Sequence, residues 1–200
     1  MQRMTGMLIG AVFGTVFVIV NAHSPLNTVI GIVLRVAASV GLACVIAMWV
    51  LAGRRGRADG AQPAGIPGPP AARMFNRGYW LVVVAEVVLL FGGIAVLRAW
   101  DRPEETNVAW IAFVVGVHFI ALAPAWKQRS IILPGVILSL FGVAGLVLSA
   151  TSAVEWVPFV SGVLSGVTLL AGCMFFARRG LMSFSVQDRV AVVGGGDHTN

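Results

Sequence analysis

GYWLVVVAEVVLLFGGIAVLRAWDRPEETNVAWIAFVVGVHFIALAPAWK, residues 78–127, decides the fold. Two apolar runs flank one short polar loop that carries Asp101, Glu104 and Glu105. Each run approaches the roughly 20 residues that an α-helix needs to cross a bilayer core. Glu86 stands near the middle of the first run and His118 near the middle of the second. An ionisable group inside a lipid-spanning helix is costly, so each demands a partner or a purpose. A third such residue, Arg35, interrupts an earlier apolar run.

Composition extends this reading to the whole chain. Of 200 residues, 58% are hydrophobic and only 11% charged, with a mean hydropathy of +0.91. Too few charges are present to cover a water-facing surface of that size, so lipid is the natural solvent. The formal net charge of +6 does not indicate nucleic acid, because the basic residues mark loops on one side of a membrane. Arginine outnumbers the single Lys127, and Ala, Gly and Val are dense, a bias that fits a GC-rich bacterial genome. Cys44 and Cys173 both fall inside apolar runs. They read as small buried hydrophobes, not as a disulfide.

Outward from residues 78–127 the same pattern repeats. Spans are expected at about 4–22, 26–51, 78–97, 108–125, 131–148 and 157–177. They form one all-α domain over residues 1–180, with a flexible tail over 181–200. In the first span Gly6, Gly10 and Gly14 recur every four residues and make a flat face for close helix packing. A secretory signal peptide is the rival reading of this segment, since Val20-Asn21-Ala22 follows a basic start and an apolar core. Ser24 is expected to cap the second helix, with Pro25 in its first position. Residues 53–77 form a linker whose Gly/Pro-rich centre cannot hold a regular element. Its flanking Arg54, Arg55, Arg57, Arg73 and Arg77 suit contact with anionic lipid heads. Asn107 is expected to cap the fourth helix and Ser130 the fifth, and Pro124 to end or kink the fourth. Ser161, Gly162, Ser165 and Gly166 make a second small-residue face in the sixth span.

Loop charge sets the orientation. With the N-terminus in the cytoplasm, one side receives Arg3, the linker arginines, Lys127, Arg129, Arg178, Arg179 and Arg189. The other receives Arg98 and Arg102 beside Asp101, Glu104, Glu105 and Glu155. This asymmetry follows the positive-inside rule and puts both termini in the cytoplasm. The tryptophans agree: Trp49, Trp80 and Trp126 fall at inner ends, Trp100, Trp110 and Trp156 at outer ends.

Arg35, Glu86 and His118 are the candidate binding or proton-relay residues. Counted from the expected span ends, all three come near mid-membrane at about 1.5 Å per residue. Pairing Arg35 with Glu86 lowers the desolvation cost of each, and histidine is the group most easily switched near neutral pH. One reading is a midplane polar cavity for small-solute or proton-linked transport, or for ligand sensing. The alternative is a structural or accessory subunit with no ligand, in which an Arg35–Glu86 pair fixes helix packing. A polar cavity between the second, third and fourth spans favours the first; a dry core with a closed pair favours the second.

No catalytic residue, cofactor or metal is expected: the chain has no phosphate-binding glycine loop, paired CxxC or HExxH. Ser161 and Ser165 have no neighbouring base in sequence, and His23 lies at the wrong depth to share a haem with His118. The expected partners are the lipid bilayer, a small polar ligand or proton, and a second copy of the chain through small-residue helix faces. The expected location is the bacterial inner membrane. The run Gly116-Val117-His118-Phe119-Ile120-Ala121-Leu122-Ala123, after Trp110 and before a basic turn, resembles a motif in small bacterial, actinobacterial-type, multi-span membrane proteins of no assigned activity. The resemblance implies that His118 is more than filler and says nothing of a substrate.

Overall fold

The computed structural model describes residues 2–58, 77–126 and 128–178, and these contain six helices and no strand. Helix α1 spans Gln2–Asn21, α2 Thr28–Ala58, α3 Arg77–Ala99 and α4 Glu105–Trp126. After a single 3-10 turn at Arg129–Ile131 comes α5, Ile132–Leu148. A second 3-10 turn at Val154–Trp156 leads into α6, residues 157–178, whose stretch Pro158–Val163 is π-helical. Five of these segments are long and apolar enough to cross a membrane; the apolar part of α1, Gly6–Asn21, is shorter. The chain has the build of an integral membrane protein. The centre of the expected linker, Lys127 and the expected tail lie outside the described residues.

The helix ends correct several sequence expectations. Asn27, not Ser24, caps α2: its Oδ1 accepts the Val29 N–H at 2.8 Å, and Ser24 and Pro25 lie in the preceding turn. Helix α2 also continues into the start of the expected linker, as far as Ala58. Helix α4 begins two residues before Asn107, and Glu105 in its first turn meets the positive end of the helix dipole. Pro124 is accommodated within the last turn of α4. Ser130 caps nothing; its Oγ receives Nε2 of Gln128 at 3.1 Å.

The end of α3 uses an unexpected residue. Asp101 N–H bonds the Arg98 carbonyl, and Arg102 N–H bonds the Leu97 carbonyl, both across the helix terminus. That pattern is a Schellman stop, which places one residue in the left-handed region, usually glycine. Asp101 fills it with φ of 48°, because aspartate is among the few residues that tolerate this conformation.

Packing runs through glycines. A Cβ on Gly135 would lie 2.9 Å from the Gly116 carbonyl oxygen, and one on Gly142 would strike the Phe113 backbone. Helices α4 and α5 therefore touch backbone to backbone and form the most extensive pair in the bundle. Helices α1 and α6 run antiparallel in the same way: Gly10 faces Cys173, Gly14 faces Gly166, and Gly162 faces Asn21. Within the π-helical stretch Ser161, Gly162 and Val163 are all buried. Ser161 Oγ donates to the Phe141 carbonyl of α5 at 2.8 Å while Gly162 meets α1, so α6 is enclosed between those two helices. Helix α2 lies on α1 and reaches α6 through a shared apolar cluster that includes Val18, Ala38, Val45 and Leu170. Helix α3 packs mainly on α4, and none of its most apolar stretch is buried.

Candidate functional site

The site is built from two antiparallel helices, α3 and α4, joined by the stop at Asp101. Reading up the hairpin, three residues of α3 at near-helical spacing, Glu86, Leu89 and Gly93, face α4. On α4 the matching residues are His118 and Trp110, eight residues or about two turns apart. Glu86 Oε2 lies 2.9 Å from His118 Nδ1, with the two side chains 21% and 14% exposed. The distance is that of a hydrogen bond, but the approach is off the Nδ1–H direction, so the contact is electrostatic and not an aligned bond. Neighbouring Phe119 meets the imidazole edge-on, with ring centroids 5.9 Å apart. Helix α5, on the other side of α4, carries no ionisable residue.

Two turns along the hairpin, Trp110 Nε1 donates to the Leu89 carbonyl at 2.9 Å. Gly93 makes this bond reachable. A Cβ there would collide with the indole at Nε1, Cε2 and Cζ2. The missing side chain opens the Leu89 carbonyl, one turn earlier, to a second donor. Trp110 is thus more than a belt residue. Its signal in the sequence is the matched two-turn spacing, seven residues from Glu86 to Gly93 and eight from Trp110 to His118, on two helices that must run antiparallel.

Arg35 is not part of this arrangement. It sits exposed on α2, in the other hairpin, and no described carboxylate is within ion-pairing distance. Depth explains why. The turns at 22–27, 100–104 and 149–156 share one end of the bundle, as the antiparallel contacts require. From the middle of its span Thr28–Leu51, Arg35 lies about 7 Å toward that end. From the middles of Gly78–Ala99 and Glu105–Pro124, Glu86 and His118 lie about 4 Å and about 5 Å toward the opposite end. Glu86 and His118 are level; Arg35 is about 11 Å away along the helix axes. The expected Arg35–Glu86 pair is replaced by Glu86–His118.

What this arrangement can do is limited by its surroundings. Glu86 and His118 form an acid–base couple in a seam between two helices. A small apolar cavity of about 10 Å³, lined by Met7, Val45, Met48, Trp49 and Ala177, belongs to α1, α2 and α6. That is at the threshold for one water. Among the described residues no three His, Cys, Asp or Glu side chains come together to hold a metal ion. Comparison with known protein families, curated proteins and solved structures finds no match to this chain.

Proposed function

We propose that this chain is a six-span inner-membrane protein with both termini in the cytoplasm, acting as a structural or accessory membrane subunit. The observation that carries the functional reading is the placement of the polar contact. Glu86 and His118 touch directly in a seam that attaches one peripheral helix, α3, to the bundle. Lipid offers no hydrophobic drive for one helix to join another, so such contacts and close packing set the arrangement. In this reading the pair fixes the register of α3 on α4. Six spans, not five, are supported by the run of α1 beside α6 from Gly10 to Asn21. The orientation rests on the loop charges.

A second reading keeps the proton. The couple is partly exposed and its imidazole N–H is not committed to an aligned bond, which suits proton-linked transport or sensing.

Reconstituted liposomes containing a pH-sensitive dye separate the two. The structural reading expects the same proton leak from wild type and His118→Phe, and restored thermal stability in Glu86→Leu with His118→Leu. A wild-type proton flux abolished by His118→Phe would sink it. Orientation is checked on intact cells in a cysteine-free background. An external thiol reagent should label cysteine placed at 103 or 153 but not at 62 or 128.

A further inference from the structure

Among the described residues Arg35 is a cation without an acid. It lies in the membrane-crossing part of α2 with its side chain exposed. Glu86 is engaged by His118 on another hairpin. The other described carboxylates, Asp101, Glu104, Glu105 and Glu155, sit in turns or at helix ends. A guanidinium facing hydrocarbon is unfavourable by several kcal/mol, so it must find an anion or water.

Geometry sends it one way. Arg35 is seven residues from Thr28, about 10 Å from the near end of α2. Side chains on a helix tilt toward its N-terminus, which for α2 is that same end. A long side chain starting there reaches the headgroup level by snorkelling. The anion at that level is phosphate, which a guanidinium binds through two parallel N–H bonds. The positive end of the α2 dipole, beside the Asn27 cap, adds to the attraction.

We propose that Arg35 holds the phosphate of a phospholipid in the leaflet at the Thr28 end of the bundle. A second copy of the chain fits less well. Its Glu86 would stand about 11 Å too deep and on a helix whose side chains tilt the other way.

Native mass spectrometry of the full chain in mild detergent tests this, with three additions: phosphatidylglycerol, a glucosyl diacylglycerol of the same acyl chains, and inorganic phosphate. The wild type should retain phosphatidylglycerol about fivefold better than Arg35→Leu, the effect of about one basic contact at the surface. Arg35→Lys should fall between them. The phosphate-free lipid should bind both proteins equally. Should the leucine variant fail to purify, Arg35→Gln removes the charge and gives the same comparison. Equal phosphatidylglycerol retention by wild type and Arg35→Leu or Arg35→Gln overturns the proposal. So does equal wild-type preference for the glucosyl lipid, or displacement of the lipid by inorganic phosphate. A dimer lost in both Arg35→Leu and Glu86→Gln overturns it in favour of a second copy.

Discussion

The two faces of α4 show two ways to join helices in lipid. Toward α5 it presents mainly backbone: Gly116 meets Gly135 and Ser139, and Phe113 meets Gly142. Toward α3 it presents side chains: His118 reaches Glu86, and Trp110 reaches the Leu89 carbonyl. The first joint is made of many weak dispersion contacts over a close surface. The second is made of a few polar contacts, each replaceable. The first should therefore fail by obstruction and the second by loss of a partner.

The largest effect is expected where obstruction is absolute. Gly142→Leu places a branched side chain into the Phe113 backbone, which cannot move aside. It should cost about 3 kcal/mol or more and prevent a stable fold. Unfolding in a mixed-detergent titration reads this, and a wild-type midpoint would break the comparison at its strongest point.

Next comes the polar joint. Glu86→Leu strands the imidazole, which is only partly exposed, and should cost about 1–2 kcal/mol. Adding His118→Leu should recover at least half of that in the same titration, because no polar group is then left alone. A double variant worse than either single would mean that the pair is not what holds α3.

A smaller change is expected at the indole. Trp110→Phe removes the bond to Leu89 and should cost about 0.6 kcal/mol, the average for a hydrogen bond between membrane helices. Gly93→Ala acts on the same bond by pushing the ring away. The two changes together should therefore cost less than their sum in a double-mutant cycle. Additivity would separate Gly93 from the indole.

The smallest effect sharpens the contrast within the glycine faces. A Cβ at Gly10 would meet Cys173 Sγ at 3.1 Å, and that atom can rotate away. At Gly14 it would meet the Gly166 carbonyl oxygen at 2.8 Å, which cannot. Gly10→Ala should shift stability by less than about 0.5 kcal/mol, and Gly14→Ala by clearly more. Equal shifts in the detergent titration would show that backbone approach is not what the spacing protects.

The sequence by itself determined that this is a helical membrane protein and roughly where each helix runs. Span length and lipid solvation depend on local composition, which needs no knowledge of neighbours. It also marked Glu86 and His118, because an ionisable residue in an apolar run is visible alone. The glycine stripe at Gly6, Gly10 and Gly14 was legible for the same reason, as a helical period in one segment, although only Gly10 and Gly14 meet a neighbour among the described residues. Helix ends were less so: an aspartate in a left-handed stop and an asparagine cap three residues past Ser24 are choices among close alternatives. Only the tertiary structure decided which charges meet. Arg35 and Glu86 are opposite in sign and each inside an apolar run, yet they stand on different hairpins and about 11 Å apart in depth. Sequence shows depth only as closely as it shows helix ends, and it does not show which helix lies beside which. That neighbour relation is set by backbone approach at glycines for the α4–α5 and α1–α6 pairs and by polar side-chain contacts for α3, summed over several helices at once.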